Sequence, residues 1–179
     1  MGKNNRLKQL IIAAELAAVM GVLSQLIIPL GPIPLTLQTI FIGLLASLRP
    51  VGEGIKTVGI YLLLGLIGIP VFAGFHSGLL SLIGPTGGYL FGFLICVIVT
   101  GLFLKWCGNG RWQLYVANLL GAGVQLLLGA AWLMVYQQTT IQQAFLIGVL
   151  PFILVGILKV IFVCELAHYL IRRYEIKAL

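Results

Sequence analysis

The sequence predicts an all-α membrane protein, a compact bundle of six transmembrane helices with both termini in the cytoplasm. Three observations carry that expectation. Of 179 residues, 60% are hydrophobic and only 8% are charged, with a mean hydropathy of +1.12, whereas ordinary soluble domains are about a quarter charged. Six apolar runs succeed one another along the chain. Lys and Arg then fall only in every second connection between them.

The first run, residues 7–28, follows the basic start "MGKNNRLK" and imitates a secretory signal. Glu15 interrupts it and many spans follow, so it is expected to stay as a first helix. Runs 35–48 and 57–72 are short enough for re-entrant segments. A hairpin there would push Arg49, Glu53 and Lys56 of "RPVGEGIK" into hydrocarbon at about 2.5–3.5 kcal/mol each. Two short spanning helices cost less. Runs 89–106, 115–136 and 144–171 complete the six, and a single domain is expected over residues 1–179.

Lys3, Arg6, Lys8, Arg49, Lys56, Lys105, Arg111, Arg172, Arg173 and Lys177 all fall on one side of such a bundle. The opposite connections, "PLGPIP", "PVFAGFHSGLLSLIGPTGG" and "QQTTIQQ", contain no Lys or Arg. By the positive-inside rule the basic side is cytoplasmic. The formal net charge of +7 thus reports topology in a lipid bilayer and implies no nucleic-acid partner.

Chemistry is restricted by what is missing. The chain has no Asp and four Glu, no HExxH, no Walker A sequence and no paired intramembrane acids. Cys96, Cys107 and Cys164 lack CxxC spacing, so neither a disulfide framework nor a metal site is expected. No cofactor is implied, and the chain is not expected to be an enzyme. An intramembrane enzyme and a channel remain as remote alternatives; a dyad of Ser77 or Ser81 with Lys159 has no support from spacing.

One basic residue is left over. Lys159 lies twelve residues before Ile171, about 18 Å along a helix and too deep to snorkel. Intramembrane charges mark ligand sites by default. Gly148, Phe152, Gly156 and Lys159 share one helical stripe, which suggests a pocket wall that receives an anionic or carbonyl-bearing ligand. The plainer reading is a lysine bonded to backbone carbonyls that merely joins helices. "GPTGGY" opens the fourth helix on the outer side: Thr86 is placed to cap it, and Gly87 and Gly88, ahead of Tyr89, would let a ligand approach free N–H groups. The apolar, glycine-rich loop before it suits a lid, with His76 read as a surface residue. Ser24, Gln25, Thr36, Gln38 and Thr39 lie in the outer halves of the helices. Gln38 and Gln125 are nearest the expected pocket, whereas Asn118, deeper on the face of Gln125, is expected to join helices.

"GPIPLTLQTIFIGLLASLRP", "GLIGIPVFAG" and "GPTGGYLFGF" resemble, in order, motifs of the BioY family, the biotin-binding S components of energy-coupling factor (ECF) vitamin transporters. The resemblance runs from the first helix to Lys159. It implies a vitamin-uptake subunit of a prokaryotic plasma membrane, which in most members works with a coupling transmembrane protein and two ATPase subunits and in some works alone. "AAELAA" resembles the AxxxA pattern by which S components dock on the coupling protein, which would assign Ala13, Ala14, Ala17 and Ala18 to that contact. One departure is plain. The family pattern P-F-x-P-G-D-x-x-K keeps Pro151, Phe152 and Lys159 here, but Leu154 and Val155 replace Pro-Gly and Gly156 stands where the Asp should be. That Asp and Lys are associated with the polar end of biotin. Biotin is therefore the default ligand, and a carboxylate without a ureido group, such as lipoate, is the alternative.

Overall fold

Helix α1 (Lys3–Leu23) stops five residues before its apolar run does. In this computed structural model, which describes residues 3–29 and 33–174, Ser24 and Gln25 form a turn just past the end of α1 and bond both to the Gly21 carbonyl and to a later segment. Ser24 Oγ donates to the carbonyl of Val71, and Gln25 Nε2 donates to that of Phe72 at 3.1 Å. The chain then forms a two-residue antiparallel ribbon, β1 (Ile27–Ile28) with β2 (Leu35–Thr36), in the register Ile27 to Thr36 and Ile28 to Leu35. The connection "PLGPIP" between them lies partly outside the described residues, as does Lys177 of the basic side.

The next two helices are short. Helix α2 (Gln38–Leu48) ends at Arg49, and Pro50 starts α3 (Val51–Leu66) by accepting from the N–H groups of Glu53 and Gly54. Proline fits there because the first turn of a helix leaves its N–H without a partner anyway. Helix α3 begins six residues earlier than expected and takes in the charges of "RPVGEGIK", of which Arg49 and Glu53, one turn apart, form an ion pair at 3.1 Å. Two spanning-type helices thus replace a hairpin.

After α3 come a 3-10 turn (Ala73–Phe75), a single helical turn α4 (Leu79–Ile83), and then α5 (Gly87–Cys107) and α6 (Arg111–Gln137). These two long helices pack antiparallel at close range through small residues. A Cβ at Gly121 would overlap the Thr100 hydroxyl, and one at Gly129 would overlap the Tyr89 ring. Close backbone approach of this kind is how helices associate where apolar burial offers little driving force.

The last apolar run, expected as one helix, is two. A capping box of Thr140 with Gln143 opens α7 (Ile141–Gly148), and α8 (Leu150–Tyr174) follows after Val149. Pro151 explains the break, since it removes an N–H and crowds the carbonyl four residues back. Helices α5, α6 and α8 are each long and apolar enough to cross a membrane. With α1, α2 and α3 they make six principal rods, α7 and α8 acting as one bent rod.

The two ends of the bundle differ. Lys56 Nζ donates to Gln9 at 3.2 Å, and Asn5, Lys8, Arg49 and Glu53 share one groove. The start of α1, the α2–α3 connection, the α5–α6 connection and the end of α8 are therefore at one end, which is the basic, cytoplasmic one. Trp106 and Trp112, both exposed, flank the α5–α6 connection there, as aromatic residues do at a membrane interface. Leu63, Leu127, Leu154 and Leu158 point outward along the rods. In a bilayer that is their proper surrounding.

Candidate functional site

A cavity of about 640 Å³ opens in the outer half of the bundle, within the range of small-molecule sites. Its floor is tight packing of Leu104, Leu114, Ala117, Cys164 and Ala167. Its walls come from α2, α5, α6 and α8, with Phe93, Leu126, Phe152 and Val163 supplying apolar surface. Its mouth is covered by the β1–β2 ribbon and by residues 72–86, which contribute Ile27, Leu35, Phe72, Ser77 and Leu80 among others. The expected lid is thus a lid of two segments, and polar side chains hold them together. Gln25 Oε1 accepts from the N–H of Phe75 at 2.8 Å, and Tyr61 Oη donates to Val71 at 3.0 Å. His76, expected at the surface, is exposed and also borders this mouth.

Lys159 points into the cavity from α8. Its Nζ donates to the carbonyl of Thr36 and, at 2.8 Å, to the hydroxyl of Thr39. Two of three ammonium donors are used and the third is left for a ligand. Among the described residues no carboxylate reaches it. Glu53 is paired with Arg49, Glu165 with Arg111 at 2.8 Å, and Glu15 is exposed on α1. Lys159 is therefore held in place by neutral oxygens and has no counter-charge. Of the two candidate serines, Ser81 bonds elsewhere: its Oγ donates to the Ser77 carbonyl at 3.0 Å.

The stripe on α8 is largely as expected. Phe152, Gly156 and Lys159 line the cavity, and a Cβ at Gly156 would meet nothing within 4 Å. Gly148 lies above it, where its carbonyl accepts from Tyr89 Oη at 2.8 Å. Thr36, Gln38, Thr86, Tyr89 and Gln125 also line the cavity.

The start of α5 differs from expectation. Thr86 occupies the N-cap position without a side-chain cap, and its hydroxyl turns back toward the carbonyl of Ser81. Gly87 and Gly88 are outside the cavity: the Leu82 carbonyl and the Trp132 side chain sit where their Cβ atoms would be. The N–H groups of Gly87 and Tyr89 are taken by Gly84 and Thr86. These glycines serve packing of α4 and α6 on α5 and do not line the cavity, so Lys159 is its one Lys or Arg side chain among the described residues.

The alanines of α1 also divide. Ala13 and Ala17 are 1% and 0% exposed, packed inside the bundle, whereas Ala14 and Ala18 are exposed. A residue step of 100° puts neighbours on different faces, so only the second pair is open to a partner. Asn118 was the residue underestimated. It lines the cavity floor while its Nδ2 donates to Ser47 and Leu114, both at 2.9 Å. Its helix-joining role is as expected; its second surface could have been found from its shared face with Gln125.

A helical bundle with a lidded, one-ended cavity and a lone cation inside defines a membrane protein built to hold one small polar-ended molecule. The chain belongs to the BioY family, whose model matches residues 1–176. It is 39% identical over 177 residues to the biotin transporter BioY2 of Lactococcus lactis subsp. cremoris (strain MG1363), covering 95% of this chain and 93% of that one. It is 36% identical over 171 residues to the biotin transporter BioY of Thermotoga maritima (strain ATCC 43589 / DSM 3109 / JCM 10099 / NBRC 100826 / MSB8), covering 96% and 99%. The fold matches the crystal structure of the S-component for biotin from an ECF-type ABC transporter with a TM-score of 0.87, at 29% identity over 96% of this chain and 95% of that one.

Proposed function

We propose that this chain is the membrane-embedded S component of an ECF-type transporter and that it captures biotin from outside the cell at the plasma membrane of a prokaryote. The observation that carries the reading is Lys159, an ammonium group with no carboxylate partner among the described residues, in a largely apolar cavity of vitamin size. Such a group is costly to leave half-solvated, and an oxygen-bearing ligand completes its hydrogen bonds. The apolar walls take the alkyl chain and rings. The ribbon and the 72–86 segment then exclude water above them.

Uptake needs an energy source that this chain's sequence does not supply, since it contains no Walker A motif. The reading therefore includes a coupling transmembrane protein and two ATPase subunits. The exposed stripe of Ala14 and Ala18 on α1 is the proposed contact, because small residues four apart give a flat face for another helix. Lipoate shares the carboxylate and alkyl chain and is the weaker candidate.

Binding of labelled biotin, lipoate and other carboxylate vitamins to the purified protein tests this directly. Saturable biotin binding that excess lipoate displaces poorly is expected. A protein that retains none of these ligands is not an S component of this kind.

A further inference from the structure

Three side-chain amides line the cavity, and they are not equivalent. Gln38 is committed at both ends: its Oε1 accepts from Thr36 at 3.2 Å and its Nε2 donates to Tyr61. Asn118 has both donors in use, toward Ser47 and Leu114. Gln125 is 5% exposed and has no side-chain hydrogen bond to any described residue. The residue as a whole is buried, yet its amide is not sealed in the packing: it lines the cavity, with its hydrogen-bonding capacity open to whatever fills it. Gly92 helps to hold it: a Cβ there would sit 3.0 Å from Gln125 Cγ.

Its depth follows from the register of α6 against α8. Tyr115 Oη donates to Glu165 at 2.6 Å, which fixes one level. Ten residues up α6 from Tyr115 is Gln125, about 15 Å higher, and nine residues back along α8 from Glu165 is Gly156, about 14 Å higher. Gln125 and the open space over Gly156 thus lie at one level of one cavity.

We infer that Gln125 is the specificity-determining residue for the ligand's ureido ring, which fills the space over Gly156. This rests on the biotin reading. In a five-membered cyclic urea the carbonyl and each N–H point to the same side. A primary amide presents a matching acceptor and donor, so the two pair through a pair of antiparallel hydrogen bonds. Gln125 Oε1 accepts from a ureido N–H while its Nε2 donates to the ureido oxygen. A carboxylate at position 156 could only accept. A ligand without the ureido group leaves Gln125 unpaired in the cavity, which selects against it.

Titration of biotin and lipoate against the purified full chain tests the assignment. Gln125→Leu is expected to weaken biotin about ten- to a hundredfold, as loss of two neutral hydrogen bonds implies, while lipoate binding stays within about twofold or improves. Adding Gly156→Asp to that variant restores part of the biotin affinity by supplying an acceptor from the facing wall. Unchanged biotin affinity in Gln125→Leu, or equal losses for both ligands, would overturn the inference and leave the biotin reading standing. Wild-type protein that binds no biotin would overturn the reading itself.

Discussion

The cytoplasmic and outer halves of this bundle both hold polar groups and treat them differently. Below, they mostly pair with one another. Glu165 takes Arg111 and Tyr115, Thr100 donates to the Ala117 carbonyl at 3.2 Å, and Arg49 and Glu53 meet as an ion pair at 3.1 Å without a hydrogen bond. Above, Lys159 and Gln125 retain hydrogen-bonding capacity that no described residue uses. The lower half is also helical throughout, whereas the upper half is closed by a ribbon, a 3-10 turn and a single turn of helix. Satisfied polar groups fix the rods in register; unsatisfied ones wait for a ligand. What distinguishes a site from a joint in this membrane protein is therefore residual hydrogen-bonding capacity, not polarity.

The sharpest way to break that comparison is on α1, where two alanines three residues apart belong to different environments. Ala17→Trp forces a large ring into a filled core, at a cost of about 1–3 kcal/mol or more. Biotin binding and uptake should fall together, and the thermal midpoint should drop. Ala14→Trp should leave binding and thermal midpoint at wild-type values and abolish uptake in cells. Equal behaviour of the two would mean that the exposed stripe is not a docking face.

Lys159→Met tests the upper half at its centre. A hydrogen bond to a charged group is worth about 1.5–3 kcal/mol, so biotin affinity should fall about ten- to a hundredfold with the protein still folded. Unchanged affinity would make the lysine a joint between α8 and the Thr36–Thr39 turn. Gly156→Asp alone is a smaller perturbation. Biotin should stay within about threefold because Gln125 already serves the ureido ring, whereas lipoate should weaken about tenfold as its apolar ring meets a desolvated carboxylate. A large gain for biotin would show that the wild-type cavity lacks a ureido partner.

The smallest effect belongs to the lower half. Arg111→Ala removes an exposed ion pair worth about 0–1 kcal/mol. Thermal stability should shift slightly, less at high salt, and biotin affinity should not change. A clear loss of affinity would mean that the two halves are coupled.

The sequence by itself determined the class, the six principal rods and the one basic residue, Lys159, that lies away from the basic end. Hydrophobic run length and charge placement depend on partition between water and lipid, which acts residue by residue along the chain. The BioY motifs and the Gly156 departure were legible for the same reason, being contiguous in sequence. Only the tertiary structure decided that Gly87 and Gly88 pack against Leu82 and Trp132, that Ala13 and Ala17 face inward, and that Asn118 reaches the cavity. The break at Val149 sat in plain view beside Pro151, yet an unbroken apolar run conceals a bend. The standing of Gln38, Asn118 and Gln125 was least legible of all. Whether a buried amide is satisfied depends on partners tens of residues away, and those partners come within reach only when the helices pack.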